Sequence, residues 1–184
     1  MRARLITHLP NLISLARLLL VPVAIVMIVH SHWRAALVVF AIAGISDAID
    51  GFIARRFDLR SVLGAYLDPL ADKALLVSIY VTLALARVIP APIAVLVVAR
   101  DAIIVGAAIQ AWLADRRFIV QPLYISKLNT AAQIGVAALV LAAKAFRWSG
   151  QGWIDAGLGL VVLLTGASAA AYLIQWSRRS TRPE

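Results

Sequence analysis

The sequence predicts an all-α integral membrane protein, a bundle of six transmembrane helices with both termini in the cytoplasm. Three observations lead to this prediction. The 184 residues are 62% hydrophobic, with a mean hydropathy of +0.90, whereas a soluble domain is about half apolar. The apolar residues form runs of about twenty, the length that a helix needs to cross a bilayer core. Short polar segments separate the runs, as between neighbouring helices of a bundle.

We expect the six spans at about residues 11–29, 35–55, 63–86, 90–113, 126–146 and 154–176. Residues 1–10 are basic and end in Pro10, so they are expected to lie in the membrane interface. Residues 177–184 form a basic tail, and residues 1–184 are interpreted as a single membrane domain. The chain contains no cysteine, which excludes disulfides and cysteine nucleophiles.

The distribution of lysine and arginine predicts the orientation. Eleven basic residues lie on one side of the predicted spans, and only Arg34, Arg87, Lys144 and Arg147 lie on the other. Because basic residues favour the cytoplasmic side, both termini are expected there. The basic residues that give the chain its net charge of +9 cluster beside apolar spans. We therefore expect them to contact anionic lipid head groups rather than nucleic acid.

Two pairs of aspartates interrupt the second and third predicted spans. Asp47 and Asp50 are three residues apart, and Asp68 and Asp72 are four apart, so each pair lies on one helix face. Both pairs are predicted at the cytoplasmic ends of adjacent antiparallel helices. Four like charges at membrane depth are costly to bury unless cations offset them. We therefore expect two hard divalent ions, which take oxygen ligands.

A two-metal carboxylate site favours one reaction class. Two ions about 4 Å apart clamp a diphosphate and stabilise an in-line displacement at phosphorus. One carboxylate can accept the proton of the attacking hydroxyl. A diphosphate substrate at membrane depth indicates a nucleotide-activated lipid.

These residues resemble a known signature. The pattern D-x2-D-G-x2-A-R-x8-G-x3-D-x3-D of the CDP-alcohol phosphatidyltransferases is matched without a gap from Asp47 to Asp72. The resemblance implies a six-helix membrane enzyme that requires magnesium or manganese and is usually a homodimer. It implies that the first three aspartates bind metal and that Asp72 is the general base and a further metal ligand. It also implies that the nucleotide pocket is lined by Gly51, Ala54, Arg55 and Gly64.

The resemblance extends beyond the signature. The segment PNLISLAR is similar to the opening of the family's sequences, which implies that Asn11 and Arg17 lie near the nucleotide. The segments LGAYLDPLADK, VIPAPIAVLVVARDAI and YISKLNTAAQ are similar to the cardiolipin synthases of mitochondria and related bacteria. That branch transfers a phosphatidyl group from CDP-diacylglycerol to phosphatidylglycerol and releases CMP. We accordingly expect a multi-pass protein of the bacterial inner membrane whose active site faces the cytoplasm.

Three polar residues of spans four and five are candidates for binding the phosphate of the acceptor: Arg100, Lys127 and Asn129. For each of them, a purely structural role is the alternative to phosphate binding. Arg100 could form an ion pair with Asp101 or with another helix. Lys127 could extend to the interface as an anchor, and Asn129 and Gln133 could form hydrogen bonds between helices.

Two other functions remain open from the sequence. A phosphatidylglycerolphosphate synthase would use glycerol 3-phosphate as the acceptor and shares the LDPLADK segment. An ion or proton transporter would also place carboxylates in the membrane, but it requires acidic groups near the midplane with access from both sides. Here all four aspartates are predicted near one end of their spans.

Overall fold

All regular structure in the described part of the chain is helical. The computed structural model describes the backbone of residues 2–57, 62–113 and 124–180, and the side chains of residues 15–47, 49, 73–106 and 124–172. The helices are α1 (Arg2–Val29), α2 (Trp33–Phe57), α3 (Val62–Leu85), α4 (Ala91–Leu113), α5 (Tyr124–Phe146) and α6 (Gln151–Ser180). The helical class and the order of the helices are confirmed.

Two of the helices are long and apolar enough to cross a membrane by length and composition, within the described residues. They are Tyr124–Phe146 and Gln151–Tyr172, whereas Leu15–Val29 and Lys73–Leu85 are shorter apolar segments. Large apolar side chains such as Leu19, Leu85 and Leu163 are more than half exposed, as expected of a surface that faces lipid rather than water. A crossing by all six helices stays a prediction.

The chain divides into two compact units. Unit 1 is Met1–Ile89 with Ala137–Ser149, and unit 2 is Pro90–Val136 with Gly150–Glu184. In unit 1, α1 packs along both α2 and α3. Ala24 of α1 and Ala36 and Ala43 of α2 are almost completely buried, and such small side chains let helix backbones approach closely. In unit 2, α4 packs against α6.

Among the helix ends that the structure describes, those of α1, α3 and α5 are alike, with a residue other than glycine in the left-handed conformation. Ser31, Arg87 and Arg147 have φ angles of 58°, 55° and 54° after α1, α3 and α5. The amides of His32 and Val88, one residue further on, donate to carbonyls five residues back, at 2.8 Å and 2.9 Å. This is the Schellman arrangement. No glycine marks these positions, so these helix ends could not be recognised from the residue types.

Several helix ends differ from the predicted spans. α1 is continuous from Arg2 through Pro10, although Pro10 was expected to end a separate segment. Proline removes only one backbone hydrogen bond, and a helix of 28 residues can tolerate that loss. α6 begins at Gln151 because the carbonyl of Gly150 accepts hydrogen bonds from Trp153 and Ile154. It extends to Ser180, so the predicted basic tail begins inside the helix.

Candidate functional site

An ion pair in unit 1 joins two of the predicted site residues. The Nη1 of Arg17 on α1 lies 2.8 Å from Oδ1 of Asp47 on α2. Arg17 is 1% exposed, whereas the Asp47 side chain is 45% exposed. The arginine therefore holds one carboxylate oxygen from the protein interior while the carboxylate stays accessible. Arg17 was expected near the nucleotide, and the structure places it on the first aspartate of the signature.

The helix bounds place the two aspartate pairs at similar depths. Asp47 lies ten residues before the last residue of α2, and Asp72 lies ten residues after the first residue of α3. At 1.5 Å per residue, both are about 15 Å from their helix ends, and Asp50 and Asp68 are about 10 Å from them. Only four residues connect α2 to α3, and connections this short favour antiparallel neighbours.

The remaining signature residues fall on the backbone of these helices, but their side chains lie outside the described set. These residues are Asn11, Asp50, Gly51, Ala54, Arg55, Gly64, Asp68 and Asp72. No three metal-ligating groups converge among the described side chains, which include only one of the four aspartates. The four-aspartate site therefore stays a prediction.

The donor chemistry observed at Asp47 fits a hard divalent ion. Carboxylate oxygens are the ligands that Mg²⁺ and Mn²⁺ prefer, and this carboxylate is accessible. A ligating carboxylate is itself usually held by a hydrogen bond from a second residue. Arg17 supplies that contact from a buried position. Asp47, the one signature aspartate whose side chain is described, thus fits the metal that the signature implies, and the other three ligands stay predictions.

Unit 2 contains a second group of buried polar residues, centred on Arg100. Arg100 is 2% exposed, and its Nη1 donates to Oδ1 of Asp101 at 2.6 Å. Its Nη2 donates to Oγ of Ser126 on α5 and to Oγ of Ser168 on α6 at 2.9 Å. One guanidinium therefore links α4 to both other helices of unit 2. The ion pair with Asp101, which the sequence left open, is present.

The same group continues along α5 and α6. Thr165 donates through Oγ1 to Oδ1 of Asn129 at 2.9 Å, and both residues are completely buried, as is Gln133. The hydrogen bond between helices that the sequence left open for Asn129 is therefore present. We call this group the α4–α6 polar cluster; it consists of Arg100, Asp101, Ser126, Asn129, Gln133, Thr165 and Ser168.

Two residues predicted to bind the acceptor phosphate each carry a donor with no hydrogen-bond acceptor within the described part of the chain. These donors are Nε of Arg100 and Nδ2 of Asn129, and both atoms are buried. A buried donor without an acceptor is costly. Two such donors from residues predicted to bind phosphate are compatible with that role, which stays a prediction.

Lys127 differs from the other two acceptor candidates. It is exposed, and its Nζ lies 5.7 Å from the centre of the Tyr124 ring. This cation–π contact is of the kind found at membrane interfaces. The anchoring interpretation of Lys127 is thus supported by a contact, whereas a role in phosphate binding stays a prediction.

Sequence reasoning missed the contribution of α6 to the α4–α6 polar cluster. Thr165 and Ser168 are three residues apart, so they share a helix face. That spacing inside an apolar span was the available signal, because hydroxyl groups in such spans commonly bond across helices.

Comparisons with known proteins show the family to which the chain belongs. Residues 7–170 match the CDP-alcohol phosphatidyltransferase family. Human cardiolipin synthase (CMP-forming) is 36% identical over 179 residues, which cover 89% of this chain and 60% of the human protein. The CDP-diacylglycerol–glycerol-3-phosphate 3-phosphatidyltransferase of Escherichia coli K12 is 33% identical over 180 residues, which cover 92% of this chain and 90% of that protein.

A chloroplastic CDP-diacylglycerol–glycerol-3-phosphate 3-phosphatidyltransferase of rice is 35% identical over 194 residues, which cover 96% of this chain and 58% of that protein. The chain thus spans about three fifths of the length of the human and rice relatives. The family match covers both units, from α1 into α6. This chain belongs to the CDP-alcohol phosphatidyltransferase family.

Proposed function

We propose that this chain is a cardiolipin synthase that transfers a phosphatidyl group from CDP-diacylglycerol to phosphatidylglycerol and releases CMP. The observation that carries the reaction class is the match of residues 7–170 to the CDP-alcohol phosphatidyltransferase family. The Arg17–Asp47 ion pair supports it, because it presents the first signature aspartate as an accessible carboxylate. The choice of acceptor is supported by the similarity to human cardiolipin synthase. The proposal includes six membrane-spanning helices, cytoplasmic termini and a place in the bacterial inner membrane.

The proposed reaction is a displacement at phosphorus. The glycerol hydroxyl of phosphatidylglycerol attacks the β-phosphorus of CDP-diacylglycerol, a new P–O bond forms, and the bond to the CMP oxygen breaks. Asp72 accepts the hydroxyl proton. Asp47, Asp50, Asp68 and Asp72 would hold two Mg²⁺ or Mn²⁺ ions. When bound, the ions would offset the negative charge on the diphosphate and on the departing CMP.

The other predicted residues bind and orient the two lipids. Asn11, Gly51, Ala54, Arg55 and Gly64 form the proposed nucleotide pocket, in which Arg55 can pair with phosphate. Arg17 orients Asp47. Arg100, Lys127 and Asn129 are proposed to contact the acceptor phosphate, and the buried donors Nε of Arg100 and Nδ2 of Asn129 support this. We also propose that the enzyme is a homodimer.

Removing divalent metal is expected to abolish the activity. After treatment of the purified protein with a chelator, CMP release should fall to background, and Mg²⁺ or Mn²⁺ should restore it. Circular dichroism should show that the helices remain, because they do not depend on the metal for their backbone hydrogen bonds. Full activity in the presence of excess chelator would contradict a metal-dependent displacement.

The acceptor that the enzyme uses distinguishes a cardiolipin synthase from the second candidate, a phosphatidylglycerolphosphate synthase. A phosphatidylglycerolphosphate synthase is favoured by the E. coli relative, because this chain covers 90% of that protein. We expect the purified protein to form cardiolipin from CDP-diacylglycerol and phosphatidylglycerol, and no product from glycerol 3-phosphate. Product from glycerol 3-phosphate alone would assign the chain to the second candidate. Protein with the Asp72→Asn substitution provides the background for both reactions.

A further inference from the structure

A cleft in unit 1 lies at the opposite end of α1 and α2 from the Arg17–Asp47 pair. It has a volume of about 690 Å³ and is lined by the turn between α1 and α2 and by the end of α5. The turn contributes His32, Trp33 and Arg34, and α5 contributes Lys144, Phe146 and Arg147. Arg34 and Asp47 are thirteen residues apart on α2, which is about 20 Å along the helix. The cleft is therefore separate from the proposed active site.

The lining of this cleft is strongly basic. Arg34, Lys144 and Arg147 contribute three positive charges, and no acidic side chain is among the lining residues. Nε of Arg34 donates to the carbonyl of Ala145 at 3.3 Å, which fixes the arginine beside the end of α5. The carbonyl ends of α1 and α5 each carry about half a negative charge, and the start of α2 adds about half a positive charge. The backbone therefore offsets only about half a unit of the three positive side-chain charges.

The predicted spans place the cleft at the level of the lipid head groups. Its residues lie at helix ends and include the aromatic side chains of Trp33 and Phe146, of which Phe146 is 68% exposed. Aromatic rings are enriched at the level of the head groups. Only four basic residues are predicted on this face of the membrane, and three of them line the cleft; the fourth is Arg87.

We infer that this cleft binds the head group of an anionic phospholipid. The phosphodiester would accept hydrogen bonds from the guanidinium groups of Arg34 and Arg147 and from the ammonium group of Lys144, which are the usual partners of phosphate. The acyl chains would lie along the apolar surfaces of the helices. The inference does not depend on the reaction that the chain catalyses, because none of these residues belongs to the proposed active site.

Two matched variants test this site. Arg147 and Arg87 both follow a helix, both have a left-handed backbone, and both are exposed, but only Arg147 lines the cleft. Binding of phosphatidylserine and phosphatidylcholine with the same acyl chains would be measured on the purified full chain by native mass spectrometry. We expect wild-type protein to prefer phosphatidylserine. Arg147→Gln should weaken its binding about fivefold, the contribution of one basic residue near an anionic surface, and Arg87→Gln should leave it unchanged.

Three outcomes of this experiment would overturn the inference. Equal losses from Arg147→Gln and Arg87→Gln would indicate diffuse attraction to surface charge and would overturn the inference. No loss in Arg147→Gln, or equal binding of phosphatidylcholine and phosphatidylserine, would also overturn it. If Arg147→Gln does not fold, Lys144→Gln replaces it, because Lys144 lies within α5 and lines the same cleft. The same fivefold loss is expected.

Discussion

Replacing Asp72 with asparagine is expected to lower CMP release by about 10²- to 10⁴-fold, the usual contribution of a positioned general base. Asparagine has nearly the same size and keeps an oxygen, but it cannot accept the proton of the acceptor hydroxyl at neutral pH. The substitution should largely preserve nucleotide binding, because the proposed nucleotide pocket is formed by other residues. CMP release from CDP-diacylglycerol and binding of a CDP analogue, measured separately on the purified protein, would check both expectations.

The control for this experiment is Asp155→Asn. Asp155 is exposed on α6, where it accepts a hydrogen bond from Gln151 at 2.9 Å, so the same chemical change there should leave turnover unaltered. Near-normal turnover of Asp72→Asn would exclude Asp72 as the base. Loss of both turnover and nucleotide binding would instead indicate that Asp72 acts mainly by holding the metal on which the diphosphate depends.

The helices could be predicted from the sequence because hydrophobic length is a strong signal. α5, predicted at 126–146, is observed at Tyr124–Phe146. The helix ends were harder to predict, because the residues that end α1, α3 and α5 are a serine and two arginines. Their left-handed conformation depends on backbone hydrogen bonds that the composition does not encode. The predicted spans of α1 and α6 were both shorter than the observed helices. Helical hydrogen bonding continues past the apolar stretch into polar residues, and hydrophobic length does not indicate how far.

The candidate site likewise contains residues that could be recognised from the sequence and residues that could not. The contact between Arg17 and Asp47 joins residues from two motifs that sequence reasoning had already selected, because chemically unusual residues in an apolar chain are easy to recognise. The partners of Arg100 and Asn129 on α6 could not be selected in this way. Thr165 and Ser168 are common residues in membrane helices, and only the packing of unit 2 shows that they complete a buried network.

Replacing Arg17 with glutamine is expected to raise the Mg²⁺ concentration required for half-maximal activity by about 10- to 100-fold. That range is typical when a residue that orients a metal ligand is lost. Arg17 is a positioning residue, because its Nη1 holds Oδ1 of Asp47 at 2.8 Å. Without it the carboxylate would sample other rotamers and would no longer be preorganised for the ion. The measurement is a titration of CMP release with Mg²⁺, which separates a change in metal requirement from a change in maximal rate.

Two further variants distinguish positioning from general destabilisation. Arg17→Lys keeps the positive charge but loses the guanidinium geometry, so it should restore only part of the metal affinity. Arg100→Gln also removes a buried arginine, but from the α4–α6 polar cluster. It should raise the KM for phosphatidylglycerol without changing the Mg²⁺ titration. If Arg17→Gln and Arg100→Gln shift the Mg²⁺ requirement equally, the loss of a buried arginine, rather than its contact with Asp47, explains the effect.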